Sequence, residues 1–288
     1  MSQINQYDIK IDGEPSIVTE IRHKILETFN DLTFVEEGHH YYLNGIEIPS
    51  VSSVIHQFEE ETNFDEIAEN YAIKHGETKE YWLDLWKYNN IKATTTGTLV
   101  HEYGESLGWL KNGHPELITD SCRIKYVKDK NWLVPTRGKE EAITKFMDDL
   151  PSSYHLVLNE AKVYSGLNQD PSKNPTNQFC GTFDMLYYFQ HPTDESKSGL
   201  LIFDYKTNAE LEKEYSHTKG KMLLEPFTHM YDEPKSIYTL QLSSYQIPLE
   251  DIFPNIPIID RKLIWLKDNG TYEKITLPDM TRTLRAIL

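Results

Sequence analysis

The sequence contains few cysteines, fewer basic than acidic residues, and no long apolar run. Its two cysteines, Cys122 and Cys180, lie far apart and form no C-x-x-C pair, which argues against a disulfide framework, a zinc finger or a four-thiolate iron–sulfur cluster. No stretch approaches the ~20 apolar residues of a transmembrane helix, so we expect no membrane association. The opening segment, MSQINQYDIKIDGEP, lacks the basic end and apolar run of a secretory signal. We therefore expect a soluble, cytoplasmic protein without an iron–sulfur cofactor.

The shortage of basic residues limits how the chain can meet nucleic acid. With 29 Lys and Arg against 45 Asp and Glu, the net charge is −16 at pH 7, which weighs against coating nucleic acid through bulk charge. An enzyme whose carboxylates act through divalent cations is still compatible with this charge. Residues 123–139 form one local basic stretch, with six basic side chains against the single acid Asp129. Lys125, Lys128 and Lys130 in it either follow a DNA backbone or belong to a solvated surface.

Apolar residues are plentiful and are spaced as in helices and strands. They make up 39% of the chain, enough for a packed core. Before residue 94, the pattern predicts a helix at EPSIVTEIRHKILETFNDL, an Asn-Gly hairpin within YYLNGIEIP, and helical structure over residues 59–91. In that last segment Trp82, Leu83 and Trp86 form one stripe, which we expect to be core rather than a binding surface.

From about residue 94 the pattern becomes that of a mixed α/β domain. TTTGTLVHEYGESLGWL predicts a Thr/Gly lead-in followed by a helix, and a second helix is expected over residues 138–150. Three strands follow, at YHLVLNEAKVYS, QFCGTFDMLYYF and GLLIFDYKTN. Next come a helix at KSIYTLQLSSYQI that Pro248 should end, and a second Asn-Gly hairpin at RKLIWLKDNGTYEKITL. We expect residues 1–93 to form a hairpin and helical extension, and residues 94–288 to form the main domain.

Each of the three predicted strands carries an acidic residue, and the third ends with Asp204 and Lys206. Asp204 and Lys206 are two apart on a strand and therefore point the same way, either as an ion pair or as a metal ligand beside a catalytic ammonium. Glu160 and Asp184 occupy the two preceding strands. If the strands are neighbours, three carboxylates and a lysine meet, and such a cluster is costly unless a cation relieves it. Oxygen ligands without thiolates select Mg²⁺ or Mn²⁺.

Two further elements fit this cluster. His101, in the helix after Gly97, offers an imidazole ligand, although a lone histidine is more often a core residue with its hydrogen bonds satisfied. Gln241 and Tyr245 are four residues apart and share one face of their helix. Each of these residues has an ordinary structural explanation by itself, and the ordered set favours a site.

The ordered set resembles the PD-(D/E)xK nuclease superfamily, most closely its RecB-like branch. The matching segments are GTLVHEYGESL, NEAKVYS, CGTFDML, IFDYKT and QLSSY, which span about residues 94–250. The N-terminal YYLNGIEIPSVSSVI also looks like the hairpin of phage-encoded members. Members with an iron–sulfur cluster carry four cysteines, so this chain is similar to the cluster-free relatives.

The resemblance implies a restriction-endonuclease-like core, with a central mixed sheet flanked by helices, and a role for each matching residue. His101, Asp184 and Asp204 would bind the metal, joined by the backbone carbonyl of Tyr205. Lys206 would be the catalytic lysine. Glu160 would support the site or a second ion, and Gln241 and Tyr245 would help position DNA.

The sequence therefore predicts a Mg²⁺- or Mn²⁺-dependent DNA nuclease. The resemblance favours an exonuclease, phage-encoded, that acts in DNA recombination, replication or genome processing, with a recombinase, helicase or single-strand-binding protein as partner. Two alternatives stay open. One is a catalytically silent DNA-binding or assembly protein on a nuclease-like scaffold, and the other is a structure- or site-specific endonuclease.

Overall fold

The described part of the chain forms two β-sheets with helices packed on them. The computed structural model describes residues 9–35, 38, 40–118, 136–166 and 178–288. Helices and strands alternate along these segments, and the larger sheet contains both parallel and antiparallel neighbours. The mixed α/β class predicted from the sequence is confirmed.

The larger sheet contains all three strands that carry predicted site residues. In the described residues its order is β4-β5-β6-β7-β8, antiparallel throughout except for the parallel pair β6 and β7. Its strands are β4 (Tyr154–Tyr164), β5 (Cys180–Phe189), β6 (Gly199–Lys206), β7 (Ile258–Leu266) and β8 (Tyr272–Thr276). The three predicted strands and the second hairpin are confirmed, and the first three are direct neighbours.

Helices cover both faces of this sheet. On one face lie α4 (Lys79–Lys111) and α5 (Arg137–Asp148), where the ring of Phe146 packs against those of Phe203 and Tyr205. The opposite face carries α7 (Pro234–Ile252), beside which α8 (Thr281–Ile287) packs. The short α6 (Glu214–Lys219) lies in the segment between β6 and α7.

Helix α7 continues past the proline that was expected to end it. Pro248 lies inside the helix, which ends at Ile252, so the prediction was wrong. A proline in a helix interior costs about 3 kcal/mol. Every residue from Thr239 to Leu249 except Gln241 is buried, and this packing against the sheet and α8 offsets the lost backbone hydrogen bond.

Helix α4 also runs through the Thr/Gly segment that was expected to precede it. The hydroxyls of Thr94, Thr96 and Thr98 donate to backbone carbonyls four residues earlier, at 2.8–3.2 Å, so these side chains are satisfied within the helix. The expected helix start after Gly97 was therefore wrong. One helix passes from residue 93 to residue 94 and joins the N-terminal extension to the main domain.

The first half of α4 pairs with α3 (Phe64–His75) in an arm whose side chains are largely exposed. The ring of Tyr71 lies 5.2 Å from Trp82 and 5.6 Å from Trp86. The predicted stripe therefore packs between two helices. Neither tryptophan belongs to the main buried core, contrary to expectation, because the arm extends beyond the sheet.

A small antiparallel sheet precedes the arm, with strands β1 (Leu32–Val35), β2 (His40–Leu43) and β3 (Ile46–Ile48). The predicted Asn-Gly hairpin is confirmed, since Asn44 and Gly45 both have positive φ, as its turn requires. Helix α1 (Ser16–Thr28) precedes this sheet and α2 (Val51–Ile55) follows it. Within the described residues, none of the helices combines the length and apolar character needed to span a bilayer.

Candidate metal centre

The second half of α4 brings His101 to the sheet because two glycines allow the helix to approach closely. A Cβ added at Gly104 would lie 2.5 Å from the ring of Tyr205, and one added at Gly108 would lie 2.6 Å from the amide of Asn159. Both distances are shorter than real contacts. Glycine at these two positions therefore lets α4 lie close to the sheet, and this brings His101 to the site.

Asp184 in β5 connects His101 to β6. Its Oδ1 lies 3.2 Å from Nδ1 of His101, and its Oδ2 accepts a 2.6 Å hydrogen bond from the backbone N–H of Tyr205. The carboxylate is buried, with 8% of the residue exposed. Its two oxygens thus bind one side chain from a helix and one backbone group from the neighbouring strand.

Glu160 adopts an unusual backbone conformation at the middle of the site. Its φ is +48°, in the left-handed region that a non-glycine residue rarely adopts, although it lies within β4. Such a conformation costs on the order of 1–3 kcal/mol and persists only when the surroundings impose it. The backbone therefore accepts strain where it presents this carboxylate.

His101, Glu160 and Asp184 form a group that could hold a metal ion. Each offers one ligand atom, and the three atoms lie within 4.8 Å of one another. One imidazole and two carboxylates, with no thiolate in the set, suit a cation such as Mn²⁺ or Mg²⁺. Asp204 was predicted as a ligand but lies outside this trio, while Glu160, expected to support the site, lies within it.

The three groups interact strongly in the absence of a cation. Burial alone would lower the pKa of His101, but the Asp184 carboxylate raises it to about 9. Burial raises the pKa of Glu160 well above its usual range, and the charge of Asp184 raises it further. Burial opposes ionisation of Asp184 as well, yet the nearby His101 keeps that pKa below its ordinary value. A bound cation would relieve the repulsion between the two carboxylates.

Asp204 and Lys206 form an ion pair at the end of β6, next to this trio. The Lys206 ammonium contacts Oδ2 of Asp204, and both side chains are buried. Burial and the charge of Asp184 raise the pKa of Asp204 to about 6, although Lys206 opposes this. The two residues thus form an ion pair, and the pair lies beside Asp184 of the neighbouring strand. A role for Asp204 as a metal ligand stays a prediction. The predicted alternation also holds, because Phe203 and Tyr205 contact α5 on the opposite face.

The predicted DNA-positioning residues lie in two places. Gln241 Nε2 donates a 2.9 Å hydrogen bond to the hydroxyl of Tyr245, so the pair interacts within α7. Tyr245 is buried against Gly181, whereas Gln241 lines a cavity that also contains Lys206. The basic residues Lys125, Lys128 and Lys130 lie outside the described residues, as does Cys122.

One acid near the trio was not singled out from the sequence. Burial, Glu102 and Asp184 raise the pKa of Glu105 to about 6. It follows His101 by four residues in α4, and residues four apart share a helix face. That spacing could have identified Glu105 as a site residue from the sequence.

Comparison with known proteins adds no relative. No protein-family model matches the chain, and no curated protein matches it either.

Proposed function

We propose that this chain is a Mg²⁺- or Mn²⁺-dependent deoxyribonuclease, an exonuclease of the RecB-like branch of the PD-(D/E)xK superfamily without an iron–sulfur cluster. The supporting observation is that the trio His101, Glu160 and Asp184 lies beside the Asp204–Lys206 pair, with the four strand residues on three neighbouring strands. The three antiparallel strands followed by a parallel one are compatible with a restriction-endonuclease-like core.

The residues of the proposed site have different roles in phosphodiester hydrolysis. When bound, a divalent cation polarises the scissile phosphate and lowers the pKa of a bound water. Asp184 orients the His101 imidazole for this ion and fixes the backbone of Tyr205, whose carbonyl we also propose as a ligand. Lys206 orients or deprotonates the water, or stabilises charge that develops on the phosphate oxygens.

Lys206 is held for this role by its surroundings. Its burial would lower its pKa, but the Asp204 carboxylate more than compensates and raises it. Lys206 is thus charged at neutral pH, which favours orientation of the water and charge stabilisation over proton removal. The main role of Asp204 is then to keep the lysine charged. Asp204 also contributes to metal binding, although it is not one of the trio.

The proposal also covers substrate, partners and location. DNA, single- or double-stranded, is the substrate, and Gln241 in the cavity beside Lys206 is placed to contact it. We propose a phage-encoded enzyme of the host cytoplasm, acting in recombination, replication or genome processing with a recombinase, helicase or single-strand-binding protein.

The proposed function is tested by incubating the protein with end-labelled linear DNA and with covalently closed circular DNA, in Mg²⁺ or in EDTA. We expect metal-dependent loss of linear DNA only. Lys206→Ala should lower the cleavage rate at least about 100-fold and leave DNA affinity within a few-fold of wild type. Lys206→Arg should not restore cleavage, because the planar guanidinium of arginine cannot replace the compact charge of the lysine ammonium.

Lys219→Ala, in α6, is the matched control and should cleave normally. Cleavage of the closed circle would favour the endonuclease alternative. Binding without cleavage under all conditions would favour the silent scaffold.

A further inference from the structure

Lys206 has a second close neighbour besides Asp204. Its ammonium lies 4.3 Å from the centre of the Tyr238 ring, within the ~6 Å range of a cation–π interaction. Asp204 belongs to the same strand as Lys206, whereas Tyr238 comes from α7 on the opposite side of the site. The ammonium is therefore attracted by two groups that different elements supply.

Tyr238 is itself held in place. Its hydroxyl donates a 2.7 Å hydrogen bond to Oδ1 of Asn208, just after β6. The backbone carbonyl of Asn208 accepts a 2.8 Å hydrogen bond from the indole N–H of Trp265 in β7. The ring is thus fixed through two neighbouring strands, independently of the ion pair.

The ammonium needs such support because lysine is flexible. Its four-carbon stem loses up to about 2 kcal/mol of rotamer freedom when it is ordered. If Asp204 were its only partner, the Lys206 ammonium would be drawn toward the Asp204 carboxylate. The Tyr238 ring draws it toward a cavity of about 400 Å³ that Lys206, Tyr238 and Gln241 line together.

We propose that Tyr238 is a positioning residue, which holds the Lys206 ammonium in place for its proposed role at the scissile phosphate. This inference rests on the proposed nuclease function. The family resemblance gave Tyr245 of this helix a role in positioning DNA, and in the structure Tyr245 bonds to Gln241 and is buried against Gly181. Tyr238 lies two turns earlier in the same helix and reaches the lysine directly.

Kinetics of three variants test the role. Tyr238→Leu should lower the single-turnover rate at saturating DNA about 2- to 30-fold, the range of a cation–π contribution. DNA affinity and the metal concentration for half-maximal rate should stay within two-fold of wild type. Tyr238→Phe retains the ring but loses the hydrogen bond to Asn208, and should cleave faster than Tyr238→Leu. Tyr215→Leu, at an exposed tyrosine of α6, is the control. A rate loss equal in the Phe and Leu variants, or none in either, would overturn the proposal.

A second measurement reads the position of the ammonium without using activity. In protein labelled with ¹³C at the lysine ε-carbon, the ring current of Tyr238 should shift one ε-CH₂ proton signal upfield. That signal should disappear in Lys206→Met and return to the ordinary range in Tyr238→Leu, but persist in Tyr238→Phe. Absence of an upfield signal in wild type would overturn the proposed geometry. An upfield signal in a protein that cleaves no DNA would instead reject the nuclease function, and the positioning role with it.

Discussion

The backbone N–H of Tyr205 donates a 2.6 Å hydrogen bond to the carboxylate of Asp184. This bond joins β5 and β6, two neighbouring strands, where both carry acidic side chains. The same carboxylate also meets His101, so Asp184 is fixed from two sides in a buried position. The two acids of the trio should therefore affect the stability of the fold differently. Asp184 has hydrogen-bond partners that stabilise it, whereas Glu160 has a strained backbone and is repelled by Asp184.

Neutralising these two acids should change stability in opposite directions. Asp184→Asn weakens or loses both hydrogen bonds and should lower the free energy of unfolding of the metal-free protein by about 1–3 kcal/mol. Glu160→Gln removes a buried carboxyl group whose ionisation is opposed by burial and by the charge of Asp184, and should raise the melting midpoint in EDTA while abolishing cleavage. Thermal melts in EDTA decide this. A lower midpoint for both variants would show that Glu160 is a stabilising residue.

The metal-free protein should lose stability as pH rises from 6 to 9. Asp184 overcomes the effect of burial and raises the pKa of His101 from 6.5 to about 9. The stabilisation of the fold by this charged pair is therefore complete below pH 6.5 and disappears as pH rises through 9. Melting curves in EDTA across this range should show a steeper decline for wild type than for His101→Asn, which lacks the titrating group. Equal slopes would mean that the imidazolium–carboxylate pair does not form.

A buried arginine anchors α1 to the strand that carries Glu160. Arg22 is fully buried and binds Glu14 at 2.7 Å and the carbonyl oxygens of Leu156 and Val157 at 3.0 and 2.8 Å. Arg22→Met should therefore lower the free energy of unfolding by about 3–5 kcal/mol, since it leaves Glu14 without its partner. Urea unfolding gives the value, with Lys24→Met on the exposed side of the same helix as control. Similar urea midpoints for the two variants would contradict this assignment.

The basic stretch outside the described residues is tested through salt dependence. If Lys125, Lys128 and Lys130 each contact a duplex phosphate, replacing all three with Ala should reduce the slope of log K against log salt by about 3. Single-turnover cleavage at saturating DNA should change little. An unchanged slope would identify the stretch as a solvated surface.

Local signals in the sequence predicted the elements that carry the site. The alternation in GLLIFDYK placed Asp204 and Lys206 on one face, and the Asn-Gly pair identified the N-terminal hairpin correctly. Helix ends were less predictable, because they depend on distant contacts. Packing against the sheet carries α7 past Pro248, and threonine hydroxyls bonded to their own helix carry α4 past Gly97.

The details that determine the chemistry are not local, and the sequence could not show them. Nothing in NEAK predicts that Glu160 has a positive φ. The contact between Lys206 and Tyr238 joins residues 32 positions apart on different elements. Arg22 lies on the buried face of α1, where Glu14 and two carbonyl oxygens of the distant β4 bind it.

The central claim, that His101, Glu160 and Asp184 hold a divalent cation, is tested most directly by calorimetric titration of the metal-free protein with Mn²⁺. We predict saturable binding that His101→Ala weakens by at least about 10-fold, the loss of one ligand, while His75→Ala in the exposed arm leaves it unchanged. Equal Mn²⁺ affinity in wild type and His101→Ala, or no saturable binding to wild type, would contradict it.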